Sequence, residues 1–402
     1  MRIAAVEKFP YLDMDHRRQN RMDGTDKKLL NLLQIEVPVA LRPWVAVGER
    51  LGGISEADVM ERVRTLKAAK IIRQISAIFD TRSLGYKSSL VAAQYDPAPS
   101  GIDSAAAIIN EHPGVSHNYQ RNHAFNLWYT IAVSLDSRLG LERTVQVLHE
   151  TTGARNTLLL PTLHLFKIGV AFDVEDGAPA GVISAAVGAV CNRDRLVHRS
   201  LGEGGSRLES APTTTQHNSF SVAKPLTALE KQFVREMQRD LVVEPEPFAV
   251  VAARLGCSIE QLREMSDAMR AAGRLRRVSA VLRHREVGFT ANAMGVWVAR
   301  GTDAEILEVG EKMAGVRTVT HCYRRPTYPD WPYNLFTMVH GRTPAECDAV
   351  LAEISRETGI TDYAALYSTK EYKKTRVEYF TDAEREWERR HIASDTLKNA
   401  VG

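Results

Sequence analysis

His117, Tyr119, Arg121 and His123 fall at every second position of the run Ser116–Trp128. Side chains two apart along a strand share a face, so an unbroken strand would project all four together. Two imidazoles, a phenol and a guanidinium on one surface define a chemistry. Histidine is the side chain whose ordinary pKa suits it to give or take a proton near neutral pH. A guanidinium grips a carboxylate through paired hydrogen bonds. The spacing predicts His117 and His123 as an acid pair, Arg121 as an anion anchor, and Tyr119 and Trp128 as contacts to whatever binds. The competing reading, exposed strand polars or satisfied core polars, is the better one for a lone histidine; it weakens for two on one face with Arg and Tyr between them.

The same run recurs in altered form at Thr320–Pro326, with His321 standing 204 positions after His117. Arg50-Leu51-Gly52 and Arg254-Leu255-Gly256 keep the same offset, so the chain is an internal duplication. The copies are unequal. Tyr323 keeps the tyrosine and Arg324-Arg325 doubles the cation. His123 has no counterpart, because Pro326-Thr327-Tyr328-Pro329-Asp330-Trp331-Pro332 intervenes, a run too proline-rich for a strand. Trp331 is expected to cover an apolar ligand face, or else to pack within its loop. His340 and His321 are further acid or ligand candidates. Lys167, Lys373, Lys374 and Arg376, near the ends of the two copies, could serve as point charges for anions, against a plain reading as solvated surface cations.

The elements that must hold these residues repeat with the same offset. Thr25–Ile35, Pro43–Leu51 and Glu56–Lys70 read as helices, with Pro43 at a first turn and Ser55 as an N-cap. Ile71–Gln94 alternates and is broken at Asp80–Gly85, which predicts a hairpin wing. A strand at Leu90–Tyr95, a helix at Ile102–Glu111, strands at Val115–Phe125 and Asn126–Ser134, a helix at Leu141–Thr152 and a long strand at Asn156–Val174, bent at Pro161, follow as β-α-β-β-α-β. The expected fold is therefore α+β: a duplicated winged helix-turn-helix plus ferredoxin-like αβ sandwich. The expected boundaries are a lead at 1–24, a first winged helix at 25–88 and a first sandwich at 89–174. A Gly/Ala/Ser/Thr-rich linker at 175–224, with a short element at Val182–Val190, precedes a second winged helix at 225–291, its wing kept at Gly288-Phe289. A second sandwich at 292–380 and a charged terminal helix at 381–402 complete the chain. The linker is long enough for the halves to pair as a two-fold dimer would, and a dimer of whole chains is a further option.

With 402 residues, 44% hydrophobic and 25% charged, the chain has the composition of a multi-domain globular protein. No apolar run suits a bilayer and the opening residues show no secretion signal. Cys191, Cys257, Cys322 and Cys347 show no CxxC spacing, which fits a reducing cytoplasm. A net charge of +3 gives little support to a polyanionic partner.

A winged helix-turn-helix followed by a ferredoxin-like domain resembles the Lrp/AsnC family of transcription regulators. Within the second domain the residues resemble a narrower branch, the siroheme decarboxylases. His-Asn-Tyr-x-Arg-x-His-x-x-Asn-x-Trp (His117 to Trp128) is similar to one subunit type. Cys-Tyr-Arg-Arg-Pro…Pro-Asp-Trp-Pro-Tyr-Asn-Leu-Phe-x-Met-x-His-Gly (Cys322 to Gly341) is similar to its partner, so both are fused here. The resemblance implies an enzyme that converts siroheme to 12,18-didecarboxysiroheme by loss of CO2 from two acetate groups, for heme d1 or the alternative heme route. It implies no organic cofactor, since the iron belongs to the substrate. His340 or, ranked below it, His321 would be that iron's axial ligand. Arg121, Arg324 and Arg325 and the terminal lysines would meet its carboxylates. One pocket is expected to dominate. The alternatives are a haem- or siroheme-responsive regulator and a passive carrier. The regulator needs cations early in its recognition helices. Those turns carry Glu56, Asp58 and Glu260, while Arg62, Arg64, Lys67, Lys70, Arg263 and Arg270 fall late, so no DNA partner is expected.

Overall fold

The computed structural model describes residues 22–96, 98–168, 225–282 and 291–401. The expected lead, the linker with Val182–Val190 and the second wing's Gly288-Phe289 lie outside them. Helices α1 (Gly24–Ile35), α2 (Pro43–Arg50) and α3 (Glu56–Ala68) open the first copy. An Asp23/Asp26 capping box starts α1, Pro43 starts α2 and Ser55 caps α3. Strands β1 (Ile72–Phe79) and β2 (Tyr86–Gln94) follow, then α4 (Pro99–Asn110), β3 (Val115–Arg121), β4 (Leu127–Ser134), α5 (Gly140–Thr152), β5 (Asn156–Pro161) and β6 (His164–Ile168). The second copy runs α6 (Ala228–Met237), α7 (Pro247–Leu255), α8 (Ile259–Ala271), β7 (Leu275–Leu282), β8 (Ala291–Trp297), α9 (Asp303–Gly315), β9 (Val319–Arg324), β10 (Leu335–Gly341), α10 (Pro344–Thr358) and β11 (Tyr363–Lys374). Helix α11 (Ala383–Val401) ends the described chain. No helix among these residues is long and apolar enough to cross a membrane.

The expected wing hairpin does not form. β1 pairs with β7 of the other copy, centred on Ser76 opposite Ser279, and β2 enters the large sheet instead. Two strands related by duplication can satisfy each other's edges, which a lone wing leaves open. The alternation of Ile75, Ala77 and Phe79 buries one face of this ribbon in a core that contains helices from both copies, including Trp44, Phe233 and Phe248. The cations of the third helices serve the same joint. Arg64 donates to the Val243 carbonyl at 2.7 Å, Lys67 pairs with Asp240 at 2.8 Å and Arg270 meets Glu36, whereas Arg62 pairs with Asp26 inside the first copy at 2.6 Å. Side chains that a duplex reader would present to phosphate are spent on intramolecular contacts.

The other nine strands run β5-β2-β4-β3-β11-β8-β10-β9-β6. Each half contributes a four-strand ferredoxin-like unit, and each unit's last segment crosses to the other half. β11 pairs with β8 through Tyr363–Tyr367 and with β3 from Ser368 onward, while β5 pairs with β2 and β6 with β9. Just two residues separate β5 from β6, so the strand order closes on itself. Helices cover the outer faces over two separate cores. Between the sheets lies a third, built from Ala92, Phe125, Trp128 and Leu160 of the first half and Met294, Trp331, Phe336 and Leu366 of the second. The expected long strand is thus two, bent after Pro161 as its rigid ring suggested.

Candidate active site

Strand β3 starts where Gly114 passes the backbone of β4. A Cβ there would overlap the Ala132 carbonyl oxygen, so glycine is required. The ladder with β4 then skips a residue between Val115 and His117. This bulge at Ser116 resets the alternation. Asn118 turns to the helix side, where it bonds the Asn110 side chain, while His117, Tyr119 and Arg121 share the inter-sheet face. The bulged Ser116 Oγ lies 3.0 Å from His117 Nδ1 and 2.8 Å from Thr130 Oγ1, and Thr130 Oγ1 lies 3.4 Å from the same ring nitrogen. Two hydroxyls therefore fix Nδ1, which directs proton exchange to Nε2. The His117 and Tyr119 rings are 6.2 Å apart, and the Arg121 guanidinium stands 5.7 Å from the Tyr119 ring centre.

The second copy repeats this. Thr320, at the matching bulge, places Oγ1 3.1 Å from His321 Nδ1, and His321, Tyr323 and Arg325 line up as His117, Tyr119 and Arg121 do. Opposite His321, however, stands Met338, where His117 has Thr130. Burial, with Lys167 and Arg325 nearby, pushes His321 down to about 4 and keeps it neutral. The two arginines are crossed between halves. Arg121 donates to the Leu366 carbonyl at 2.7 Å and Arg325 to that of Leu160. Both are buried, both keep an Nε without a hydrogen-bond partner, and burial lowers both to about 10. A guanidinium buried without a carboxylate is electrostatically costly, and an incoming anion relieves it.

Several expectations need correction. His123 is not on the strand, which ends at Arg121. It occupies the turn before β4, where its Nδ1 accepts from Phe125 N at 3.1 Å and its ring meets Trp331 edge-on at 5.3 Å. Half-buried there, it has its pKa lowered by desolvation. Trp331 does not cover an open face: it is fully buried between the sheets, against Trp128 at 5.2 Å, Tyr333 at 4.8 Å and Phe336. Arg324 points away from Tyr323 and pairs with Asp303 at 2.6 Å. Lys167 and Lys373 are matched structural caps. Lys167 Nζ donates to the Val316 carbonyl at 3.0 Å, and Lys373 Nζ to those of Asn110 at 2.8 Å and His112 at 3.4 Å, all at the C-terminal ends of helices α9 and α4. Cations suit those ends, and neither lysine faces the sheets' shared interior.

Lys374 stands opposite His117 in the ladder, and Arg376, two residues on, reaches Ser76 Oγ at 3.2 Å and the Ala77 carbonyl at 3.4 Å. His340 shares the inter-sheet face of β10 with Phe336 and Met338. In the first half its place is taken by Ala132, since Leu90 pairs with Thr130 as its duplicate Met294 pairs with Met338. Across the ladder from His340 is Asn292, whose buried Oδ1 has no hydrogen-bond partner. Sequence reasoning missed Ser116, Thr130 and Asn292; the hydroxyl directly before each duplicated histidine was the signal. Two cavities, of about 160 Å³ under α11 and about 240 Å³ between β1 and α7, take in none of the histidine, tyrosine or arginine residues of the two rows.

Duplicated histidine–tyrosine–arginine rows on exchanged ferredoxin-like sheets, with helix-turn-helix units welded face to face, define a fused AsnC-like protein. The AsnC-like ligand-binding domain matches residues 83–167 and 286–373, and the helix-turn-helix domain of NirDL-like siroheme decarboxylases matches residues 26–73. The chain is 35% identical to a siroheme decarboxylase of Hydrogenobacter thermophilus over 90% of its length and 96% of that protein's. It is 44% identical over 146 residues to a siroheme decarboxylase beta subunit of Methanosarcina barkeri, covering 36% of this chain and 95% of that one. A crystal structure of the siroheme decarboxylase NirDL with an iron-uroporphyrin III analogue aligns at TM-score 0.67 and 30% identity, over 92% of this chain and 99% of that one. The chain belongs to the siroheme decarboxylase family.

Proposed function

We propose that this protein is an enzyme acting on siroheme, a carboxy-lyase that removes CO2 from two acetate side chains to give 12,18-didecarboxysiroheme. The observation that carries the reading is the His117–Tyr119–Arg121 row with its bulge hydroxyls, in which the buried Arg121 keeps an Nε without a hydrogen-bond partner. A carboxylate of the substrate docks at Arg121, whose unpartnered Nε offers the donor. Loss of CO2 from a ring acetate leaves an electron pair on the former CH2. His117 Nε2 delivers the proton that makes it methyl, while Ser116 and Thr130 hold Nδ1 and hence the ring's tautomer and orientation. The iron is the substrate's own, and the imidazole of His340 or of His321 is suited to its axial position.

The first half is the productive one. His117 has two hydroxyls where His321 has one and a thioether. The product serves heme d1 or alternative heme synthesis in the cytoplasm. Anaerobic incubation with siroheme followed by mass spectrometry tests the reaction: two successive losses of CO2 are expected, and unchanged siroheme bound to folded protein would reduce the chain to a carrier.

A further inference from the structure

A row of polar side chains crosses four neighbouring strands, β3-β11-β8-β10, at one level. Arg121 pairs with Ser368 where β11 joins β3, and Asn122 Oδ1 accepts from Tyr367 N at 2.7 Å to fix that junction. One step earlier Tyr367 pairs with Ala293, so antiparallel register brings Ser368 level with Asn292 on β8. Asn292 in turn pairs with His340 on β10. The row turns toward the core between the sheets. Ser368 stands two residues from Leu366 and Asn292 two from Met294, both members of that core, and Arg121 bonds the Leu366 carbonyl. With strands about 4.8 Å apart, the row is about 14 Å long, the breadth of a substituted macrocycle.

Three of these side chains carry a buried polar atom without a hydrogen-bond partner among the described residues: Arg121 Nε, Ser368 Oγ and Asn292 Oδ1. Folded chains leave few such atoms, because nothing offsets their desolvation. Three on adjacent strands, on one face and at one level, suit a single ligand. Arg121 Nε and the Ser368 hydroxyl both donate to a carboxylate, and the Asn292 amide offers Nδ2 to a carboxylate or Oδ1 to its acid form. The duplicated row does not match this set. Arg325 bonds the Leu160 carbonyl as Arg121 bonds that of Leu366, and Thr162, Ser88 and Ala132 stand where Ser368, Asn292 and His340 do. A hydroxyl and a methyl group replace the amide and the imidazole.

We propose that Arg121, Ser368 and Asn292 form one carboxylate subsite, shared between the two copies, that holds an acidic side chain of the tetrapyrrole while His117 acts on another. The subsite deepens the siroheme reading and rests on it for the ligand's identity. Arg121 attracts the carboxylate, and Ser368 and Asn292 orient it. Arg121 comes from the first copy and the other two from the second, so the first half's row is incomplete without its duplicate.

The test is an anaerobic absorbance titration with siroheme and with iron-uroporphyrin III, which carries as many carboxylates on a different ring. Wild type is compared with Ser368→Ala, Ser368→Thr, Asn292→Asp and Ser88→Asp. Ser368→Ala should weaken both ligands about tenfold, as loss of one hydrogen bond to a charged group does, and Ser368→Thr should recover most of that loss. Asn292→Asp keeps the shape but sets a negative charge against the carboxylate, and should weaken both ligands about tenfold or more. The same charge in the duplicated row, Ser88→Asp, should cost less than about threefold. Unchanged affinity in Ser368→Ala and Asn292→Asp, equal losses from Asn292→Asp and Ser88→Asp, or a loss confined to siroheme overturns the subsite while leaving decarboxylation intact. Iron-uroporphyrin binding that follows the expected pattern supports the subsite even if wild type leaves siroheme unreacted, in which case the enzyme reading fails alone.

Discussion

At the scale of single residues, the difference between the two histidine rows is a hydroxyl. His117 is held by Ser116 and Thr130, while among the described residues His321 Nδ1 meets the Thr320 hydroxyl alone. Ser116→Ala removes the nearer partner and lets the imidazole rotate or change tautomer. Turnover should fall about tenfold, the rate equivalent of one hydrogen bond, with KM little changed. Rescue in Ser116→Thr, which restores a hydroxyl at the bulge, separates positioning from a folding defect. Loss of the proposed acid is larger: His117→Ala should lower kcat by about 10²–10⁴-fold. His321→Ala should stay within about threefold, under 1 kcal/mol of barrier, if the first half is the productive one. Comparable losses in single-turnover product yield for the two histidines would make the sites equivalent instead.

At the scale of elements, the alternation of His117, Tyr119 and Arg121 was legible because a strand has period two, and the pairing of polar rows was legible because the duplication printed it twice. Three things were not. The bulge before His117 shifts which residues alternate, and a bulge leaves no compositional trace. His123 continues the period in sequence but not in space, since the strand ends two residues earlier. The lysines near the chain's crossing strands looked like anion contacts, yet a bulge beside each, between Leu165 and Lys167 and between Glu371 and Lys373, turns them to helix ends. Helix α11 was expected, but its docking was not. Trp387 is fully buried, stacks on His391 at 3.9 Å and meets His112 at 4.5 Å, and Glu388 accepts from the backbone N–H groups of Arg138 and Leu139 just before α5.

That docking has a pH dependence with a fixed sign. Burial, then Lys373 and His391, pushes His112 down to about 3, and His321 sits at about 4. Both are neutral when folded, whereas the unfolded chain protonates them near 6.5. Below that value the unfolded state binds more protons, so stability falls as pH falls. The slope approaches about 1.4 kcal/mol per pH unit for each histidine. Urea midpoints measured between pH 7.5 and 5 should drop in wild type. His112→Asn should show a visibly shallower decline, whatever its stability at pH 7.5. An unchanged slope in the variant would mean that His112 is protonated in the folded protein.

At the scale of the whole molecule, the halves are bound by three cross-copy ladders, β1 with β7, β3 with β11 and β6 with β9, and by arginines that each reach a carbonyl of the other half. Neither half can satisfy its last strand or its buried guanidinium alone, and an orphaned buried charge is strongly destabilising. The covalent connection between the copies is then dispensable once folding is complete. Cleavage at a protease site introduced between residues 175 and 224 should leave a single species on size exclusion, with turnover within about twofold, under 0.5 kcal/mol of barrier. Each half expressed alone should be insoluble or self-associate through its open β-edges. Mixing refolded halves should restore activity as they pair. Stable, monomeric, folded halves would show that the crossed strands and arginines contribute little, and the two rows of histidine, tyrosine and arginine would then have to be treated as independent sites.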